Sequence, residues 1–123
     1  MSRENKLNIA ANTAAPANII EKLSTVKEAY VRKGITHNKS TPSEILRNLS
    51  MDAVADVRLG VACNPSTPVD ILAVLSTDPN TGIKEFVAGN PSTTVEILEK
   101  LSNDFSLFVR SQAADSLTRR KIW

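Results

Sequence analysis

Apolar and polar positions follow one pattern that comes round four times. Ile45, Leu46 and Leu49 fall at helical spacing, then Val57 and Val61 do, and the next 26 residues carry the same pattern. The polar phrase that opens each round is also repeated. NPSTPVDIL begins at Asn64, NPSTTVEIL at Asn90, NKSTPSEIL at Asn38, and a worn copy, NTAAPANII, at Asn12. Leu23, Leu49, Leu75 and Leu101 keep the step of 26, as do Ser24, Ser50, Ser76 and Ser102. So do the pairs Val31-Arg32, Val57-Arg58, Ile83-Lys84 and Val109-Arg110. The opening KLNIAAN matches the end of a unit. A fixed period of this length marks a repeat architecture. The expected division is a half repeat 1–11, repeats 12–37, 38–63, 64–89 and 90–115, and a tail 116–123.

Each unit reads as two short helices. Thr41-Pro42-Ser43-Glu44 predicts a capping box with Thr41 accepting from the backbone of residue 44, and Pro42 suits the first helical position. Asp52, Asp78 and Asp104 predict the cap of the second helix. Asn64 before Pro65 predicts a left-handed C-terminal residue that stops it. Helices of about nine residues are marginal alone, so neighbouring units must stack to hide their apolar faces. The expectation is an all-α, right-handed α-solenoid of about four 26-residue helical hairpins preceded by a half repeat.

The pattern NPxTPxxIL…LSxDxxxxVRxxVA over residues 6–114 resembles the variant leucine-rich repeat, and its second half resembles HEAT repeats. The resemblance implies a repeat scaffold and says little of function. It also leaves open a tighter 3₁₀ form for one helix of each pair. Some members carry an iron–sulfur cluster on a cysteine-rich segment; Cys63 is the one cysteine here, so no cofactor is expected. The first unit departs from the pattern, with Ala15 at the Thr position and Val26 at the Asp position.

Composition narrows the function. Hydrophobic residues make up 41% and aromatic ones 4%, which suits closely packed aliphatic helices. No apolar run approaches the roughly 20 residues of a membrane span, and no hydrophobic stretch follows the polar start, so a cytoplasmic location is expected. The net charge of +2 is small, but residues 1–39 hold seven Lys/Arg against three acids, 40–104 four against nine, and 105–123 four against one. The single His37 leaves no Ser-His-Asp arrangement. His37 and Cys63, at equivalent positions, supply two ligands where a structural zinc site needs four. With no Gly-rich phosphate loop either, no enzyme activity is expected.

Two surfaces remain as candidates. The ladder Lys6, Arg32, Arg58, Lys84 and Arg110 recurs along one edge and could contact a row of phosphates. The preferred reading is structural, because Asp52, Asp78 and Asp104 precede their bases by six residues, and in HEAT-like repeats such groups bond between units. Val26, in place of an Asp, singles out Arg32 as the free base. The second surface is the variable outer row of the second helices: Tyr30, Lys33, Asp56, Leu59, Glu85 and Phe108. It points to a non-enzymatic module or scaffold that binds a protein partner, with nucleic-acid binding through the ladder as the alternative. Val69 and Val74 are expected to be covered by adjacent units. Phe105, Leu107 and Phe108 crowd the last unit, which calls for a cap formed by Leu117, Ile122 and Trp123 folding back, or else for a homodimer through that end.

Overall fold

The computed structural model describes residues 2–121. Nine α-helices make up these residues: α1 (Arg3–Ala11), α2 (Ala17–Leu23), α3 (Ala29–Thr36), α4 (Ser43–Leu49), α5 (Ala55–Cys63), α6 (Val69–Leu75), α7 (Thr81–Gly89), α8 (Val95–Leu101) and α9 (Leu107–Lys121). No strand occurs among the described residues, and both helices of each pair are α-helical. The odd-numbered helices stack in one row, α1 on α3, α3 on α5, α5 on α7 and α7 on α9. Each even-numbered helix packs beside the odd-numbered ones of its hairpin. One aliphatic core runs between the rows, from Ala10 and Ile20 through Leu46, Val57, Leu72, Ile83 and Leu98 to Val109 and Ala113.

The corner phrase works differently from the sequence expectation. Among the described residues none, glycine included, has a positive φ. Asn64 has φ −75° and ψ 119°, extended rather than left-handed, so it does not end α5 by a left-handed turn. Its side chain reaches back one unit instead. Asn64 Nδ2 donates to Thr36 O at 2.7 Å and to Asn38 O at 3.2 Å. Asn38 donates to Ala10 O and Asn12 O, and Asn90 to Ala62 O and Asn64 O. Each Oδ1 accepts from the N–H two residues on, at Ser40, Ser66 and Ser92. These three asparagines are at most 3% exposed, and their amides are fully used.

The threonines depart from the capping box as well. Pro42 and Pro68 occupy the cap positions of α4 and α6 without a side-chain bond, and the helices begin one residue later. Thr41, Thr67 and Thr93 turn inward, and each hydroxyl donates to the carbonyl six residues back, on Ile35, Val61 and Val87. A free hydroxyl facing a buried carbonyl is better spent there than on an exposed helix start, where water can serve. Only Thr94, where the proline is missing, caps in the expected way, accepting from Ile97 N. Ser24, Ser50, Ser76 and Ser102 do sit at helix ends, each donating to the carbonyl three residues back.

Gly60 records how closely the odd-numbered helices approach. A Cβ there would lie 1.8 Å from Thr36 Oγ1, whereas at the equivalent Gly34 it would meet only the Ala10 methyl at 3.2 Å. Gly60→Ala should therefore destabilise markedly, and adding Thr36→Ala should restore most of the loss. One unit on, the position of Thr36 is held by Ala62 and that of Gly60 by Phe86, a side chain larger than glycine, and thermal melts of both variants test the expectation.

The asparagines give a second expectation. Asn64→Ala takes the side-chain donor from the buried Thr36 carbonyl and one of two donors from Asn38 O, which keeps the Thr41 N–H, a cost of about 1–3 kcal/mol. Asn12 is exposed and its side chain only accepts from Ala14 N, so Asn12→Ala should cost far less. Equal losses in urea denaturation would contradict the role given to the buried amides.

Candidate functional site

The basic ladder is bound into the scaffold. Arg32 Nε and Nη2 reach Asp52 at 2.8 and 3.2 Å, and Arg58 does the same to Asp78 at 2.9 and 3.3 Å. Lys84 bonds Asp104 at 2.8 Å and Lys6 bonds Glu28 at 2.9 Å. In the first three pairs the acid lies 20 residues after the base, in the following unit. The Arg side chains hold their own unit's loop as well, with Arg58 Nη1 donating to Asp52 O at 2.7 Å. The aspartates serve twice: each carboxylate also accepts from the N–H two residues on, at Val54, Asn80 and Ser106. They sit ahead of the helix and are not its cap residue, which is Val54 for α5 and Asn80 for α7.

Arg32 is therefore not the free base, because its acid, Asp52, comes from the next unit and the missing Asp side chain at Val26 does not matter. The direction of pairing was the missing fact. The ladder base without a carboxylate among the described residues is Arg110, whose Nη1 donates to Asp104 O and Phe105 O. At the other end, Glu28 takes the role that Val26 cannot, shifted by two residues.

These contacts move the carboxylates' titration. Burial pushes the Asp52 carboxyl up, but the Arg32 bonds, the Val54 N–H and the charges of Arg32 and Arg58 outweigh it and leave the group below its ordinary value. Asp104 is held down by Lys84 first and by the Ser106 N–H next.

The outer row of the odd-numbered helices is partly self-satisfied. Arg3 lies over the Tyr30 ring, 4.5 Å from its centroid. Lys33 pairs with Asp56 across to the next helix at 3.5 Å. Leu59 is half-buried and leans towards Gly82, where a Cβ would lie 3.9 Å from it. The row opens toward the C-terminal half. Glu85 lines a cleft of about 470 Å³ with Cys63, Phe86, Gly89, Asn90, Pro91 and Gln112. Phe86 is 48% exposed and Phe108 is 69% exposed.

The chemistry offered there is for contact. Burial pushes the Cys63 thiol up, and the Lys33 charge opposes this without prevailing, so the thiol is a poor nucleophile at neutral pH. Burial, with the same lysine, holds His37 below its ordinary value. No group of three or more His, Cys, Asp or Glu gathers among the described residues.

Three apolar expectations need revision. Val74 is 60% exposed and Val69 44%, so adjacent units do not cover them. The neighbouring even-numbered helices are too loosely paired to bury that side. Residues 116–121 do not fold back over the last unit; they prolong α9, because the corner asparagine is replaced by Ser116 and no proline follows. Ser116 donates to Ala88 O, Arg120 to Thr93 O, Asn90 O and Pro91 O, so this helical end closes the corner of the unit before it. Leu117 packs against the core. Phe105 and Leu107 remain exposed, as does Phe108, and the part expected of Ile122 and Trp123 lies outside the described residues.

Residues 55–80 match the family model described as leucine rich repeat variant. That span is one full step of the repeat, from the start of α5 to the residue before α7, and it supports assignment to the variant leucine-rich-repeat solenoids. Comparison with curated proteins and with solved structures gives no match.

Replacing Arg58 by Gln removes bonds to a carboxylate that is 7% exposed, and should cost about 1–3 kcal/mol with or without a partner. Arg110→Gln should cost less, having no carboxylate to lose. Chemical denaturation of the two variants decides; a larger loss at Arg110 would reverse the assignment.

Acid gives an independent check. A carboxyl whose folded pKa is depressed contributes its stability above the unfolded pKa of about 4, and that contribution is lost as pH falls through the folded value. The urea midpoint should thus hold steady from neutral pH down to about 5 and fall below about 4. A midpoint unchanged to pH 2 would show that Asp52 and Asp104 contribute nothing.

Proposed function

We propose that this chain, a solenoid of the variant leucine-rich-repeat type, is a cytoplasmic interaction module without chemistry of its own. It holds a protein partner on the outer row of its odd-numbered helices. In this reading about four right-handed units of 26 residues, 12–37, 38–63, 64–89 and 90–115, follow a half repeat 1–11 and precede the tail 116–123.

The observation that carries the reading is the uneven satisfaction of that row. Tyr30, Lys33, Asp56 and Leu59 have partners within the chain, whereas Phe86 stands exposed beside Glu85 on an open cleft and Phe108 stands exposed on α9. Large aromatic side chains held out from a rigid scaffold are the usual anchors of protein interfaces, since two torsions are all they lose on binding. Tyr30, Lys33, Asp56 and Leu59 then form the rim and Glu85, Phe86 and Phe108 the contact centre. A homodimer through the C-terminal end is the variant of this reading in which the partner is a second copy.

The nucleic-acid alternative has less support. Of Lys6, Arg32, Arg58, Lys84 and Arg110, the first four already hold carboxylates, and neutralised bases attract phosphate weakly. On immobilised heparin the chain should elute at low salt.

Photo-crosslinking residues placed at positions 86 and 108 should trap the same partner in host extract, while one at Glu99 on α8 should not. Equal trapping at all three positions, or a steep salt dependence on heparin, would overturn the protein-binding reading.

A further inference from the structure

The last base of the ladder is posed for a carboxylate that the described residues do not supply. Arg32 Nη1 holds two carbonyls of its own loop, Val26 O and Lys27 O, both at 2.8 Å, and this leaves Nε and Nη2 to grip Asp52. Arg110 is held in the same way: Nη1 donates to Asp104 O at 2.9 Å and to Phe105 O at 3.0 Å. Its Nε and Nη2 have no partner among the described residues, and no described carboxylate pairs with it. A guanidinium fixed in this pose has already given up the freedom that binding normally costs.

The surroundings specify the rest of the occupant. Phe105 is 103% exposed, Leu107 62% and Phe108 69%, all on the same turn of chain as Arg110. In the preceding unit the matching positions are Pro79, Thr81 and Gly82, so the apolar crowd is peculiar to this end. Residues 105–123 hold four bases against one acid, and residues 1–39 are basic too. A second copy offering either end would bring like charge to like charge, while an acidic segment of another protein meets opposite charge.

We propose that the start of α9 binds a segment of another protein in which an Asp or Glu stands beside apolar side chains. The carboxylate closes on Nε and Nη2 of Arg110, as Asp78 closes on Arg58, and the apolar residues cover Phe105, Leu107 and Phe108. This rests on reading the chain as an interaction module, and it names the partner's chemistry at one end of the row.

The chain itself contains a suitable probe. A fluorescein-labelled peptide of residues 75–89, LSTDPNTGIKEFVAG, presents Asp78 with the apolar start of α7. Fluorescence anisotropy with the intact protein should show saturable binding. An Asp78→Asn peptide, Arg110→Gln protein or Phe108→Ser protein should each weaken it about tenfold or more. Arg119→Gln, which removes the same charge further along α9, should change it less than about twofold, and circular dichroism confirms that each variant is folded. Absence of saturation below about 1 mM, or equal loss with Arg119→Gln, overturns the proposal. So does sedimentation of the chain alone as a dimer that Arg110→Gln dissolves, since the occupant is then a second copy. Should partner trapping at position 86 survive Arg110→Gln while the peptide fails to bind, the interaction reading stands and this inference falls.

Discussion

A buried asparagine amide that bonds two carbonyls of the unit before it is the contact on which the rest of this structure depends. The last carbonyls of a helix, such as those of Ala10, Thr36 and Ala62, have no partner within the helix, while the corner carbonyls of Asn12, Asn38 and Asn64 each accept one backbone N–H, from Ala15, Thr41 and Thr67. Stacking takes them out of water, and a buried carbonyl without a donor is costly. Asn38, Asn64 and Asn90 supply the donors from the next unit, and each fixes its own corner through Oδ1. The amide needs two donors on one side and an acceptor on the other, a combination that neither Asp nor Ser can offer. Where Ser116 stands in the series one bond is kept, to Ala88 O, and Arg120 supplies another to Asn90 O, so the chain continues as helix.

The ion pairs do the corresponding work on another edge. An Arg–Asp pair that is 15% and 10% exposed, as Arg32 and Asp52 are, is a linkage between units more than a surface available to ligands. Together the two series leave each odd-numbered helix with one outer strip that packing does not constrain. Function in a repeat protein falls to such strips, because every other position is already committed to stacking. Here the strip is closed by internal contacts near α3 and α5 and open near α7 and α9.

The helical pairs and the core stripe were legible because apolar spacing reports burial directly. Less legible was what the polar constants do. Asn64, Thr67 and Asp78 have capping residues' chemistry, and local logic assigns them to caps. In the fold Asn64 meets a carbonyl 28 residues away and Asp78 a guanidinium 20 residues away, both brought near by stacking. Thr67 meets a carbonyl six residues back across the corner, and no capping rule contains these contacts. The same blindness made Arg32 look free: pairing within a unit and pairing to the next differ only in direction, and the spacing fits both. Of the candidate partner-binding residues, Phe108 and Glu85 lie where the surface is open. Phe86 was missed, because its equivalents Gly34 and Gly60 are small and nothing in the period marks the position as outward. A Phe at a position held by Gly in the two preceding units was the available signal.

Side-chain amide exchange measured by NMR addresses the central claim most directly. If Asn38, Asn64 and Asn90 bridge buried carbonyls of the preceding unit, their Nδ2 protons should exchange slowly, on the timescale of unit opening, while those of the exposed Asn12 exchange at the rate of a free amide. Fast exchange at all four, equal to that of Asn12, would show that the amides do not hold the units together.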